Sequence, residues 1–271
     1  MAITSGDTYI AASKQILPYT KTASVTTTAT TRFTTFGVAG NPGAGTRAMT
    51  TALTGAVPNG QTDVGYPPIT TFGGSNTGYL TRVQYANSVV TRMEIWDKLF
   101  GINITPLTAL STFTLATQAS YSSRVPGGTN YSGLRLFLEI TTALATATAL
   151  TVTVTYTNQA GTTGRTTGAV TMANYTVDRW IELPLQAGDS GIQKIDTVVL
   201  GGTVATAGAF NVIVARPLWT NRVNIANGGG LDGIDRTGMP IVYNTSALVV
   251  TTIADSTSSG VPDLNIEITN G

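Results

Sequence analysis

Strict alternation of apolar residues with threonine between residues 150 and 157 constrains the fold of this chain more than any other feature. The apolar members of the pattern are Leu150, Val152, Val154 and Tyr156. A period of two places successive side chains on opposite faces of a β-sheet. Residues 158–164 break the pattern with polar and glycine residues, and residues 165–172 resume it more loosely. The sequence therefore predicts a β-hairpin with an apolar inner face and a threonine outer face.

Shorter stretches of β-type sequence lie on both sides of this hairpin. They are residues 89–97, 134–140, 180–185, 193–200, 209–215, 241–243, 247–253 and 264–268. In the first of them Met93 lies between Thr91 and Ile95 on the more apolar face, which favours core packing for its side chain. Short strands separated by turn residues are typical of a sandwich, and a helix long enough for a βαβ crossover is not predicted. The predicted fold is all-β, an antiparallel β-sandwich of jelly-roll type.

The first 78 residues have a different composition. Thr4-Ser5-Gly6-Asp7 fits a capping box, which predicts a short helix to about Leu17 that ends at Pro18. Residues 22–36 are rich in threonine, and residues 37–78 are rich in glycine and proline. Such a segment leaves little room for regular structure, which predicts a long extended arm. The predicted organisation is a helix and arm over residues 1–78 and a β-sandwich core over residues 79–271, with a loop at residues 224–238.

The charge content limits the partners that this chain can attract. Charged residues make up 11% of the sequence and the net charge is +1, whereas an average soluble domain has roughly 25% charged residues. Threonine, which favours strands, supplies much of the polarity. This balance offers little attraction for nucleic acid or an anionic membrane. We expect no direct contact with nucleic acid and no contact with a membrane.

Cysteine and histidine are absent from the sequence. Disulfides, zinc sites of the Cys/His kind and histidine-dependent catalytic triads are therefore excluded. The N-terminus lacks the basic and apolar regions of a secretory signal, and no apolar run approaches the roughly 20 residues of a membrane span. The expectation is a soluble protein that is made and folded in cytoplasm.

Three patterns could carry chemistry, and each has a simpler interpretation. A pair of carboxylates could act as in a glycosidase, although most acidic residues occupy turns or outward strand positions. The glycines of residues 40–45 could bind phosphate, but no Gly-Lys-Ser/Thr follows them. Asp232 and Asp235 could bind calcium, but the alternating ligands of a helix-loop-helix site are missing. The interpretation that we favour has no enzyme activity, no metal and no cofactor.

Aromatic residues leave a binding role open. Trp180 begins an apolar strand and is expected in the core, whereas Trp219 follows Arg216-Pro217-Leu218 at a strand end. Trp219 is thus the best candidate for an exposed aromatic contact, for example in a glycan platform. A place in the core or at a subunit interface is the favoured alternative, because aromatic residues dominate both kinds of buried contact.

Three groups of segments carry a resemblance to known proteins. They are Ala39–Thr46, Gly78–Thr81 with Ile95–Ile102, and Tyr156–Arg165 with Leu185–Asp189. Together and in this order they resemble a group of structural proteins of tailed bacteriophages, over most of residues 20–220. Each motif alone consists of residues that are common in turns. The resemblance therefore rests on the order of the motifs along the chain. The group has no catalytic motif, and no active-site residue is transferred.

The resemblance implies a capsid decoration or cement protein on the phage head surface. Its expected partners are the major capsid protein and other copies of itself, as a dimer or trimer. The expected partner-binding residues stand out in a small-residue arm or at a strand end, and are Arg32, Phe33, Phe36, Arg47, Tyr66 and Trp219. A tail or neck protein and a receptor- or glycan-binding adhesin are the alternatives. If the arm binds the capsid, truncation of residues 1–36 should weaken attachment while the core still folds.

Overall fold

A computed structural model describes residue 3, residues 5–72 and residues 77–271 of the chain. These residues divide into two compact units. Unit 1 comprises Met1–Thr46, Pro58–Asp97 and Leu218–Gly271, and unit 2 comprises Arg47–Val57 and Lys98–Pro217. Thr4 of the predicted capping box and the glycine-rich residues 73–76 lie outside the described residues.

The secondary structure is dominated by β-strands, and the predicted all-β class with a short helix near the N-terminus is confirmed. In chain order the strands are β1 (Lys14–Lys21), β2 (Arg32–Thr34), β3 (Gly40–Asn41), β4 (Thr77–Asn87), β5 (Thr91–Ile104), β6 (Thr112–Thr114), β7 (Arg135–Ala145), β8 (Leu150–Asn158), β9 (Arg165–Thr166), β10 (Val170–Thr171), β11 (Arg179–Leu183), β12 (Ile192–Gly202), β13 (Ala207–Val223), β14 (Gly228–Asp232), β15 (Ile241–Tyr243), β16 (Leu248–Ala254) and β17 (Pro262–Asn270). The helices are α1 (Gly6–Ala11) and α2 (Ile234–Thr237), and short 3-10 turns lie at Ser122–Arg124 and Pro126–Gly128.

Unit 1 is built on a six-stranded antiparallel sheet. The strand order is β14-β4-β17-β1-β3, and β15 pairs with β4 beside β14. Strand β16 pairs with β2 and with residues 91–97 of β5. The inward side chains of these strands form one apolar cluster, in which Met93 is fully buried as predicted. Unit 1 therefore has its own core.

Unit 2 contains the hairpin that the sequence predicts. Strand β8 pairs with β12 along its length and with the short strands β9 and β10 on its other side. Strand β7 pairs with β11 and β13, and its apolar side chains join those of β8 and β12 in one core cluster. The apolar face of β8 is fully buried, while Thr151, Thr153 and Thr155 are half-buried. The sheet that contains β8 and β12 lies on one side of this core, and strands β7, β11 and β13 belong to a closed six-stranded barrel.

The N-terminal helix is shorter than predicted. It ends at Ala11, and Ser5 caps it through a reciprocal capping box with Thr8. The chain then enters β1, so the prediction that Pro18 ends a helix is wrong. Pro18 lies opposite Asn265 of β17, and β3 pairs with β1 only further along, at Thr20 and Lys21. Among the described residues, the strand beside Pro18 thus has a neighbour on one side only, where the missing N–H of proline is tolerated.

The segment expected to be an extended arm contributes strands to unit 1. Strand β1 pairs with β17, and β2 pairs with β16, so the first 46 residues pack with the last 54. The predicted loop at residues 224–238 likewise contains β14 and α2. The two units divide the chain differently from the predicted boundary at residue 78, because strands distant in sequence pair with each other.

Candidate functional site

The four aromatic residues expected to bind a partner lie inside unit 1. Phe33, Phe36, Tyr66 and Trp219 are between 0% and 7% exposed. The rings of Phe36 and Tyr66 pack with centroids 4.8 Å apart, and Trp219 packs on Tyr85 at 5.0 Å. Trp219 lies in the core of unit 1, which is the alternative that the sequence favoured. A stacking platform for glycan would need an exposed ring, which Trp219 does not offer.

Gly45, the last of the glycine-rich residues 40–45, serves the packing of Phe36. A Cβ atom added to Gly45 would lie 2.2 Å from the Phe36 ring, and one added to Gly65 would lie 2.3 Å from the Cα of Gly45. Only glycine permits so close an approach, and Gly65 also has a positive φ of 97°. Gly45 and Gly65 are therefore explained by local packing in unit 1.

The two arginines of the predicted set bind buried carboxylates. Arg32 binds Glu94 through two guanidinium nitrogens, with Nε 2.6 Å from Oε2. Burial alone would raise the pKa of Glu94, but hydrogen bonds from Arg32, Thr251 and Trp96 hold the pKa below its ordinary value. Arg47 binds Asp178 in the same bidentate manner, with Nη2 2.8 Å from Oδ2. Burial of Asp178 raises its pKa despite this partner.

An ion pair with both side chains buried lies in the interior of unit 2. Lys98 Nζ donates to Glu139 Oε2 at 2.6 Å, and both side chains are at most 3% exposed. Glu139 also accepts hydrogen bonds from Asn211 Nδ2 at 2.6 Å and Trp180 Nε1 at 3.1 Å. The expectation that carboxylates stay at the surface is wrong for Glu139. Its acceptor sites are occupied by fixed donors, which suits a structural role.

Two segments that carry the resemblance meet at Asp189. Its carboxylate accepts hydrogen bonds from Tyr156 Oη at 2.6 Å, from Asn158 Nδ2 at 2.7 Å and from Arg165 Nε at 2.9 Å. These donors, Arg165 first, lower the pKa of Asp189 to about 2. The contact joins the end of β8 and the start of β9 to the turn before β12. The two segments thus form one hydrogen-bonded unit.

Lys21 is a buried cation that binds backbone carbonyls. The residue is only 2% exposed, and Nζ donates to the carbonyl oxygens of Pro42 at 2.8 Å and Val38 at 3.1 Å. The same nitrogen lies 4.8 Å from the ring centroid of Tyr19. Burial lowers the pKa of Lys21 to about 8. Through these hydrogen bonds Lys21, at the end of β1, holds the segment that follows β2.

Because the pKa of Lys21 is lowered in the folded chain, we expect the contribution of this residue to the free energy of unfolding to rise with pH. From about pH 8 to the ordinary lysine pKa, the folded chain has lost a proton that the unfolded chain still holds. The free energy of unfolding should then rise relative to Lys21→Met, by at most about 1.4 kcal/mol per pH unit. Urea unfolding of both proteins between pH 7 and pH 10.5 measures the difference. All other titratable groups are shared, so parallel curves would contradict the prediction.

The described residues contain no group of three or more acidic, histidine or cysteine side chains that could hold a metal ion. Within the same residues, no helix is long and apolar enough to cross a membrane. Both statements concern residue 3, residues 5–72 and residues 77–271.

The six-stranded sheet of unit 1 has one face on the core and one face towards solvent, which we call the outer face. The strand register places its residues in rows. These rows are Leu231, Gln84, Asn265 and Pro18; then Gly229, Ala86, Asp263 and Thr20; then Arg82, Glu267 and Ile16. Leu231 is 60% exposed and Ile16 is 55% exposed. The outer face therefore combines exposed apolar side chains with two amides, Gln84 and Asn265, and three charged residues, Arg82, Asp263 and Glu267.

Strand β14 is held firmly at one side of the outer face. Asp232 Oδ2 accepts hydrogen bonds from Trp219 Nε1 at 2.8 Å and from Asn221 Nδ2 at 2.7 Å. A Cβ atom added to Gly229 would lie 2.3 Å from the carbonyl oxygen of Tyr85, so this glycine permits the close approach of β14 to β4. The missing side chains leave a shallow depression of about 470 Å³ whose lining includes Ala86, Gly229 and Leu231. The sequence pattern did not reveal this surface, because it predicted a loop there.

Comparisons with known proteins identify only distantly similar structures. No protein-family model and no curated protein matches the chain. One similar solved structure is the VP2 subviral particle of infectious bursal disease virus, with 10% identity, coverage of 100% of this chain and 83% of that chain, and a TM-score of 0.20. The structure of the Gt strain of that virus has 12% identity, coverage of 95% and 81%, and a TM-score of 0.18. Likeness at this level carries no argument about fold or function.

Proposed function

We propose that this chain is a structural component of a tailed-bacteriophage virion, a capsid decoration protein that binds and stabilises the major capsid protein lattice. The observation that carries the proposal is the outer face of unit 1, where Ile16 and Leu231 are more than half exposed among amide and charged side chains. Exposed apolar side chains with polar neighbours are typical of protein interaction surfaces, and two of the charged residues here, Arg82 and Glu267, are paired with each other. The order of the turn motifs along the chain supplies the link to phage structural proteins.

The interior of the chain supports a passive mechanical role. In the buried ion pairs Lys98–Glu139 and Arg32–Glu94, each carboxylate also accepts hydrogen bonds from neighbouring side chains, and the pairs fix their strands in one arrangement. A decoration protein needs units that keep their shape under load. In this proposal the outer face lies on the capsid, and within that sheet the Arg82–Glu267 ion pair joins β4 to β17.

Attachment to heads tests the proposal. Heads assembled without this chain are incubated with the purified protein, and bound protein is measured by sedimentation and located by electron microscopy. The double variant Gln84→Lys/Asn265→Lys places two charges in the middle of the outer face, and both residues are exposed, so folding should be retained. We expect head binding to weaken at least about ten-fold, the equivalent of about 1.4 kcal/mol.

The matched control is Thr112→Lys, which changes an exposed strand residue of unit 2. This variant should bind heads as the unchanged protein does. Equal binding by the double variant would remove the outer face from the proposal. Electron-microscopic density on tails or necks alone would contradict a decoration role and favour the tail or neck alternative.

A further inference from the structure

Strand β14 forms an edge of the unit 1 sheet that lacks the usual protection. It stands at the end of the strand order, and within the described residues no strand pairs with it on the side away from β4. Natural edges are shielded by lysine, proline, bulges or shortness. The opposite edge, β3, has two residues and is followed by Pro42, whereas β14 presents Gly-Gly-Gly-Leu-Asp. The Asp232 carboxylate is turned inward to Trp219 and gives no shielding charge.

Exposed apolar side chains are concentrated around this edge. Ile225 precedes β14 and is 74% exposed, Leu231 lies within it, and Ile234 follows it at 40%. They are three of the eight large apolar residues that are exposed among the described residues. An open strand edge flanked by apolar side chains is a template for pairing with another chain.

We propose that the partner of this edge is a second copy of the same chain, paired β14 to β14 in antiparallel fashion about a two-fold axis at Gly230. In this register Gly229 of one copy lies opposite Leu231 of the other, twice. Directly opposite residues lie on the same face with Cβ atoms about 4.5–5.5 Å apart. The exposed Leu231 side chain of each copy then covers the other copy's depression above Ala86 and Gly229.

The geometry makes the strand self-complementary. Leu231, which has a large side chain, and Gly229, which has none, are placed symmetrically about Gly230. The Leu231 side chain of each copy therefore fills the space beside Gly229 of the other copy. The pairing uses up the open edge of both copies and therefore stops at a dimer. Because the contact between two five-residue strands is small, we expect a dimer that dissociates on dilution, unlike stable interfaces of about 1,200–2,000 Å².

Sedimentation equilibrium of the purified chain tests this inference without any virion component, so its outcome is separate from that of the head-binding proposal. We expect a monomer–dimer equilibrium in which Leu231→Lys associates at least about ten-fold more weakly, because a charged side chain on the edge opposes pairing. The matched control Leu110→Lys changes a leucine of unit 2 that is 49% exposed, and should dimerise as the unchanged chain does.

Hydrogen exchange gives a second readout that does not depend on a variant. The backbone amides of Gly228–Asp232 that point away from β4 should exchange more slowly as the protein concentration rises. Three results would overturn the inference: a monomer at every concentration, a trimer or larger closed assembly, or unchanged dimerisation of Leu231→Lys. A chain that is monomeric alone but slows its β14 exchange on heads would assign the edge to the capsid partner instead.

Discussion

Replacing Glu139 by alanine should lower the free energy of unfolding by about 3–5 kcal/mol, the range for breaking a buried ion pair from one side. The variant leaves the ammonium of Lys98 buried without its carboxylate, and it removes the acceptor of Trp180 Nε1 and of Asn211 Nδ2. Urea unfolding measured by tryptophan fluorescence gives the change. The loss should concern stability in unit 2, where all four side chains lie.

The matched control is Glu182→Ala, which breaks the pair with Arg135. Those side chains are 35% and 53% exposed, so the loss should stay below about 1 kcal/mol. Adding Lys98→Met to Glu139→Ala removes the stranded charge and should restore part of the stability. Equal losses for Glu139→Ala and Glu182→Ala would show that burial of the Lys98–Glu139 pair has no energetic consequence.

Deleting residues 1–36 should unfold unit 1. The deletion removes β1 and β2, together with the buried side chains of Leu17, Tyr19, Phe33 and Phe36. Burial of each such side chain contributes about 1.5–3 kcal/mol, and domains have only about 5–15 kcal/mol of net stability. Hydrogen exchange of β17, which pairs with β1 over seven registered positions, measures the effect. This expectation replaces the sequence-based one, in which the core still folds.

A shorter deletion, of residues 1–12, provides the control. It removes α1, which has no buried residue, and the hydrogen bond from Tyr9 Oη to Glu267 Oε1. Its cost should be about 1–2 kcal/mol, and β17 should keep its slow exchange. If β17 stayed protected in the longer deletion, β1 would not be needed to hold the unit 1 sheet together.

The sequence predicted those parts of the fold that a local pattern determines. The period of two in β8 identified both the hairpin and its buried face, because side-chain alternation is a property of the strand itself. Met93 was predicted in the core from its two neighbours on the same face. Each of these inferences needed only residues adjacent in sequence.

The parts that sequence reasoning missed depend on distant partners. From the sequence alone, Pro18 resembles the end of a helix. The structure shows that β17 lies on one side of it and that no described strand lies on the other side. Glu139 alternates with leucines and resembles a surface residue until Lys98 and Asn211 are placed against it. The glycines of β14 are typical of a loop when only the sequence is known. Their role in the fold is to permit the close approach of Tyr85, which is distant in sequence. The outer face could not be predicted, since its rows join strands from both ends of the chain.

The burial of so many charges has a consequence for the kinetics of encounter. Ten of the charged residues that the structure describes are buried, from a total of 15 basic and 14 acidic residues in the sequence. Little long-range potential is left to orient the molecule as it approaches a partner. Association of this kind proceeds at about 10⁵–10⁶ M⁻¹s⁻¹ and changes little with ionic strength, unlike electrostatically assisted docking. Such a chain would recognise its partner by contact and shape, at the same rate in dilute and in concentrated salt.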